Sequence, residues 1–159
     1  MNEEQFKELK QEILDRAHKA EACTEQYGRA YKSETARQLL TVVKDNFGWA
    51  CNHNVLTVDL IEKYKDTFAE NQIYANQSVQ DGYLLCDNAL VYASGNALVE
   101  ASDNATVEAS GNATVKAWGN ATVYASDNAY TSRPPMGNAR FAIPIGTLTA
   151  HQPANIINP

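Results

Sequence analysis

Residues Asn88–Tyr130 read NALVYASG NALVEASD NATVEASG NATVKAWG NATVYASD NAY, five full copies of an octapeptide and the start of a sixth. No insertion interrupts the period of eight, and a fixed period is the signature of a repeat architecture. Written N-A-x-V-x-A-x-(G/D), the octad holds Ala, Val and Ala at its second, fourth and sixth places, while Thr, Leu, Glu, Lys, Tyr, Ser and Trp vary at the third, fifth and seventh. Alternation with period two predicts a strand with one buried and one exposed face. Gly or Asp followed by Asn is turn chemistry, because these residues accept positive φ and bond to nearby backbone.

Strands that are copies of one another, joined by short turns, can stack as a β-solenoid or fold as a meander of hairpins. The sameness of the buried column favours stacking in register, like above like at about 4.8 Å. Seven asparagines (88, 96, 104, 112, 120, 128 and, after a two-residue slip, 138) then line up, and their amides are expected to form a ladder. Volume sets the coil length. A triangular coil of three octads is too wide for Ala-Val-Ala to fill, whereas two octads give a flat coil of about 16 residues with no void.

A two-octad coil sorts the variable places onto two faces. One carries Leu90, Thr106 and Thr122, then Tyr92, Glu108 and Tyr124, then Ser94, Ser110 and Ser126. The other carries Leu98, Thr114 and Tyr130, then Glu100, Lys116 and Ser132, then Ser102, Trp118 and Pro134. Aromatic anchors dominate protein interfaces, so Trp118 with Lys116 and Tyr130, and Tyr92 with Tyr124, are the candidate binding residues. Trp118 has a competing structural role, packing beneath the C-terminal segment.

The ends of the array differ from its middle. Across Gln72–Val79 the apolar period shifts from about 3.6 to 2. Gln80–Asp87 reads as a terminal coil with Tyr83, Leu85 and Asp87 in register. Arg133-Pro134-Pro135 ends the repeat, since proline cannot donate to a neighbouring strand. Asn138–Ile143 resumes alternation with bulkier residues, as a cap against edge-to-edge pairing would. A loose tail is expected from about residue 152.

The first seventy residues carry helical signals. Asn2 and Gln5 form a capping box ahead of an apolar stripe of Phe6, Leu9, Ile13, Ala17 and Ala20. A short helical piece holding Tyr27, Ala30 and Tyr31 follows. Ser33 is placed to cap a helix with Ala36, Leu39, Leu40, Val43 and Phe47 on its core face, ending at Gly48. Thr57 caps a third helix with Leu60, Ile61, Tyr64 and Phe68 inward. The expected fold is α+β: a small helical bundle over residues 1–71, then a short two-faced β-solenoid with a C-terminal cap over 72–151, then the tail 152–159.

Composition narrows the function classes. The net charge of −6 is spread along the chain, and no basic stripe points to nucleic acid or to anionic lipid. The charged, amphipathic start MNEEQFKELKQE is unlike a signal peptide, and no apolar run reaches transmembrane length, so a cytoplasmic protein is expected. Cys23, Cys51 and Cys86 are odd in number and scattered, against a disulfide framework. His18, Cys23, Cys51 and His53 could in principle hold zinc, but their spacing matches none of the usual pairs. Cys51 with His53 and Trp49 lacks an orienting partner or an oxyanion-hole motif for nucleophilic catalysis. No metal, no cofactor and no enzymatic activity are expected.

The array GNATVKAWGNATVYASDNA resembles the octapeptide tracts of small bacterial, phage and mobile-element proteins, over roughly Leu85–Tyr130. The wider pattern, helices first and solenoid after, looks like the same group, and the resemblance carries no catalytic motif. The absence of a catalytic constellation beside a rigid scaffold with a helical head points to a non-catalytic protein-binding protein. By analogy with the compact phage proteins that block host complexes, anti-CRISPR proteins among them, an inhibitor of a host defence complex acting in the host cytoplasm is expected. A structural or assembly part is the alternative, and self-association is compatible with either. An ice-binding surface would need unbroken Thr ranks, which Tyr92, Glu108 and Tyr124 interrupt. Asp87, Asp103 and Asp127 stand at turns, without the glycine-rich pattern of a calcium-binding roll.

Overall fold

The computed structural model describes residues 1–132 and 138–142, and the chain divides into two compact units, Met1–Ile73 and the part from Tyr74 onward. The first unit contains helices α1 (Glu3–Lys19), α2 (Thr24–Tyr31), α3 (Ala36–Asp45), α4 (Phe47–Asn52), α5 (Val58–Lys63) and α6 (Lys65–Glu70). The capping box of α1 is formed: Gln5 N–H donates to Asn2 Oδ1 at 2.8 Å, and Asn2 N–H donates to Gln5 Oε1 at 3.0 Å. Such a cap contributes about 1 kcal/mol. Leu9, Ile13, Leu14 and Ala17 are buried, with Leu14 widening the anticipated stripe, and α1, α2 and α3 pack on one another. Glu12 ties α1 to α5, accepting from Arg16 at 2.6 Å and from Lys63 at 3.0 Å.

Three helical boundaries differ from the sequence reading. Thr35, not Ser33, caps α3, its Oγ1 accepting from Gln38 N–H at 3.2 Å. Ser33 is buried at the end of α2, where its hydroxyl donates to the Arg29 carbonyl at 3.1 Å. Gly48 does not end the helical run. The break falls at Asn46 (φ −123°, ψ 28°), whose Nδ2 donates to the Val42 carbonyl at 2.9 Å, and a new helix begins at Phe47. The third expected helix is capped by Thr57 as read, then breaks at Tyr64 (φ −121°, ψ 38°) into α5 and α6. That break leaves Leu60, Ile61, Tyr64 and Phe68 all buried.

The second unit is the solenoid. Its strands are β1 (Ile73–Ala75), β2 (Tyr83–Asp87), β3 (Leu90–Ala93), β4 (Leu98–Ser102), β5 (Thr106–Ala109), β6 (Thr114–Ala117), β7 (Thr122–Ala125), β8 (Tyr130–Ser132) and β9 (Arg140–Ala142). One sheet runs β1-β2-β4-β6-β8 and the other β3-β5-β7-β9. The repeat strands pair in parallel, Leu98 with Thr114 and Leu90 with Thr106, so each coil advances 16 residues and holds two octads. A hairpin meander would have paired neighbouring octads antiparallel.

The buried column is the one the repeat specifies. Val91, Val99, Val107, Val115 and Val123 are all at 0% exposure, with the sixth-place alanines packed beside them. In β9 the two-residue slip brings Phe141 opposite Val123, a bulkier end to the core. This matches the expected cap as far as Ala142. Arg133, Pro134, Pro135, Ile143 and the tail lie outside the described residues. No helix among the described residues is long and apolar enough to cross a membrane.

The first coil sits one residue away from the register read in sequence. Leu84 and Cys86 point inward, opposite Val99 and Ala101, while Leu85 pairs with Glu100. A slip of one residue exchanges the faces of a strand. Its cause is a turn one residue shorter than the later ones, in which Asn88 itself takes the left-handed conformation (φ 42°). In the later turns the eighth place does so: Gly95, Gly111 and Gly119 at φ 58–65°, Asp103 at 51° and Asp127 at 54°. The asparagine amides are exposed, and among the described residues only Asn104 Nδ2 to Asn88 Oδ1 (3.1 Å) makes an Asn–Asn side-chain rung. The turns stack through backbone instead: Asn112, Asn120, Asn128 and Asn138 donate their N–H groups to the carbonyls of Gly95, Asp103, Gly111 and Gly119 at 2.7–3.0 Å. Water competes for an exposed amide far better than for a turn's backbone.

A Cβ at position 95 would require an unfavourable positive φ and would collide with the Gln80 carbonyl oxygen. Gly95→Ala is therefore expected to destabilise the solenoid by at least about 2 kcal/mol in urea unfolding followed by circular dichroism. Gly28→Ala, inside α2 with nothing within 4 Å of the new methyl, is expected to stabilise by about 0.5–1 kcal/mol. Equal effects would contradict the turn geometry.

Candidate functional site

The outward places of the repeat form two separate sets on the two sheets. On the β3-β5-β7-β9 sheet, Tyr92, Glu108 and Tyr124 stand in register on neighbouring strands, with Leu90, Thr106 and Thr122 as the adjacent rank. Leu90 is 59% exposed, Tyr92 53% and Tyr124 50%. A rigid ladder thus presents two phenol rings, about 10 Å apart at the backbone, with a carboxylate between them and a leucine beside one. Leu90 was not among the candidates. The signal available for it was a leucine at a third place where the following copies on this sheet have threonine.

On the other sheet, Lys116 and Tyr130 are exposed and Trp118 is half-buried at the strand end, where its backbone N–H donates to the Ala101 carbonyl at 3.0 Å. Tyr130 stands opposite Thr114, and Lys116 between Glu100 and Ser132. The five candidates therefore divide: Tyr92 and Tyr124 share one sheet, while Lys116, Trp118 and Tyr130 share the other. Pro134, assigned to the second set, lies outside the described residues, as does most of the segment offered as a cover for Trp118.

Glu100 departs from the sequence reading. Its place in the octad is outward, yet it is at 0% exposure, and neither carboxyl oxygen has a hydrogen-bond partner. Lys116 Nζ lies 3.6 Å from Oε1, an ion pair with one end in solvent and the other enclosed. Burial pushes the Glu100 carboxyl up to about 7, and the attraction of Lys116 opposes the rise only in part. Leu85, its other register partner, is buried as well, so one end of this sheet's outer face is shielded from water. Nothing in the octad pattern encodes that shielding. A lone raised carboxyl is an acid-base group by chemistry, but its in-register neighbours are a leucine and a lysine.

In the helical unit the four possible zinc ligands are not gathered. Among the described residues no group of three or more His, Cys, Asp or Glu side chains is placed to hold a metal ion. Cys51 is buried in α4 and Cys23 exposed. His53 stacks on Trp49 at 4.7 Å and 22°, with its Nδ1 2.9 Å from the Trp49 carbonyl oxygen. His18 meets the edge of Tyr27 at 6.3 Å. No family model matches the chain, and no curated protein or solved structure matches it.

A folded-state pKa near 7 against an ordinary 4.5 fixes the sign of a pH effect. The proton that Glu100 holds when folded stabilises the chain fully below pH 4.5, and that contribution is lost as the pH rises through about 7. Urea unfolding is expected to show a loss of up to ~3 kcal/mol between pH 5 and pH 8 from this group. Glu100→Gln is expected to flatten that loss and to be the more stable form at pH 8. Parallel pH profiles for the two proteins would contradict the assignment.

Proposed function

We propose that the chain is a non-catalytic protein-binding protein that holds its partner on the outer surface of the solenoid, with Leu90, Tyr92 and Tyr124 as anchors. The observation that carries this reading is their exposure at fixed spacing on a hydrogen-bonded ladder. Three large side chains, each half or more exposed, stand on a backbone that cannot rearrange to cover them. Aromatic side chains held in place lose little entropy on binding and supply most of an interface's energy. The repeat's own Asn, Ala and Val are consumed by turns and packing, so specificity falls to the departures from the repeat. Lys116, Trp118 and Tyr130 make a second, more polar surface on the other sheet, which a partner seated on Tyr92 and Tyr124 need not touch.

The narrower form of the proposal follows the resemblance to phage and mobile-element repeat tracts: an inhibitor that occludes a host defence complex in the manner of anti-CRISPR proteins. A rigid block with aromatic anchors suits steric blocking, which needs a fitted surface and no chemistry.

Affinity capture from cells that naturally express the chain tests this, comparing the unaltered protein with Tyr92→Ala/Tyr124→Ala and with Trp118→Ala. A stoichiometric partner is expected on the unaltered chain, with binding weakened at least about tenfold by the double tyrosine change and less by Trp118→Ala. The tyrosines are solvent-facing, so the double variant should keep its melting temperature. A partner held equally by all three proteins, or none held by any, would overturn the reading.

A further inference from the structure

The helical unit contains a half-open cavity of about 310 Å³ that the solenoid reading leaves unused. Its walls come from Ile13 and Ala17 of α1, Ala30 of α2, Val42 and Val43 of α3, and Val55. None of its lining side chains carries a formal charge. Two of them are amides with a defined orientation. Asn46 Nδ2 donates to the Val42 carbonyl at 2.9 Å and to Gln26 Oε1 at 3.2 Å, and Gln26 Oε1 also accepts from Arg29 at 2.7 Å. Since a carbonyl can only accept, Asn46 must present nitrogen to Val42, and this fixes Gln26 by the same logic. The ends left over are a donor, Gln26 Nε2, and an acceptor, Asn46 Oδ1. Trp49 also lines the cavity, its ring held by the stack on His53.

We infer that this cavity is a binding site for a small, neutral, largely apolar molecule of one or two rings that carries an amide-type edge. Its volume falls in the range of small-molecule sites, which are mostly apolar with a few placed polar groups. An ion would have to leave water with no opposite charge among the lining residues to receive it. A purely apolar molecule would fit the walls but offer no partner to Gln26 Nε2 or Asn46 Oδ1. A ligand with adjacent donor and acceptor satisfies both amides. The inference is independent of the solenoid surface, so either can fail without the other.

The test uses the full chain with three probes at neutral pH: benzamide, toluene and benzoate. In amide-resolved NMR titrations, benzamide is expected to give saturable shifts at the lining residues, with a dissociation constant of about millimolar, well within what so small a molecule can supply. Toluene should bind at the same place more weakly, and benzoate should not saturate. Gln26→Leu is expected to weaken benzamide by about tenfold while leaving toluene within about twofold.

A second measurement needs no variant. Cys23 lines the cavity and is exposed, whereas Cys51 and Cys86 are buried, so a thiol reagent such as dithiobis-nitrobenzoate reports on Cys23. Saturating benzamide is expected to slow that reaction severalfold. Shifts scattered over the surface, benzoate binding as well as benzamide, or a Cys23 rate unchanged by benzamide would overturn the inference.

Discussion

Every outward side chain of the solenoid owes its place to the parallel hydrogen-bond ladder between octads two apart in sequence. The ladder closes only because Ala, Val and Ala are small enough for two sheets to meet with nothing between them. A larger residue in that column would push the sheets apart, and a smaller one would leave a void. The turns impose a second condition. One residue in each must take positive φ, and its neighbour's N–H must reach the carbonyl of the turn below. Gly, Asp and Asn meet both demands. Regularity in the sequence is the chemical record of these two constraints, and positions they leave free are the only ones that can vary.

The helical unit obeys a different logic. It has no repeat to enforce spacing, and its helices are ended by single residues whose side chains or dihedral angles break the backbone pattern: Asn46 between α3 and α4, Tyr64 between α5 and α6. Short helices joined at angles leave gaps that long parallel ones would fill. The cavity against Trp49 is such a gap, and the amide pair at Gln26 and Asn46 gives it chemical direction. Charge plays a local part. Glu12 holds Arg16 on its own helix and links α1 to α5 through Lys63, whereas in the solenoid the enclosed Glu100, even beside Lys116, is a burden at high pH.

Much of this was legible in the residues. The octad's period, its buried column and its turn chemistry led to the two-faced coil, and the pairing of Glu108 with Tyr92 and Tyr124 followed from counting sixteen along the chain. Asn2, Gln5 and Thr57 were readable because a cap is a local bond between near neighbours. What was not legible depended on distant context. The register at Leu84 and Cys86 rests on a turn shortened by one residue, and Leu85 and Leu84 are equally apolar, so hydropathy could not choose between them. Gly48 looks like a helix end by propensity, yet Asn46 ends the helix two residues earlier through its side chain. Glu100 occupies an outward place by the pattern and is buried by something the pattern does not contain. The candidate site was legible as a set of departures from the repeat, but its division between two sheets becomes useful only once the coil length is known.

The coil of two octads in register is the claim on which the positions of Tyr92, Tyr124, Lys116 and Trp118 all rest. Disulfide trapping tests it most directly, in a chain whose Cys23, Cys51 and Cys86 are first replaced by alanine. Glu108→Cys/Tyr124→Cys places two thiols on paired positions of adjacent parallel strands, at a backbone separation of about 4.8 Å that a disulfide can span. Glu108→Cys/Lys116→Cys places them one octad apart, on different sheets. The account predicts rapid intramolecular oxidation of the first pair and none of the second. Oxidation of the second pair in preference to the first would contradict it.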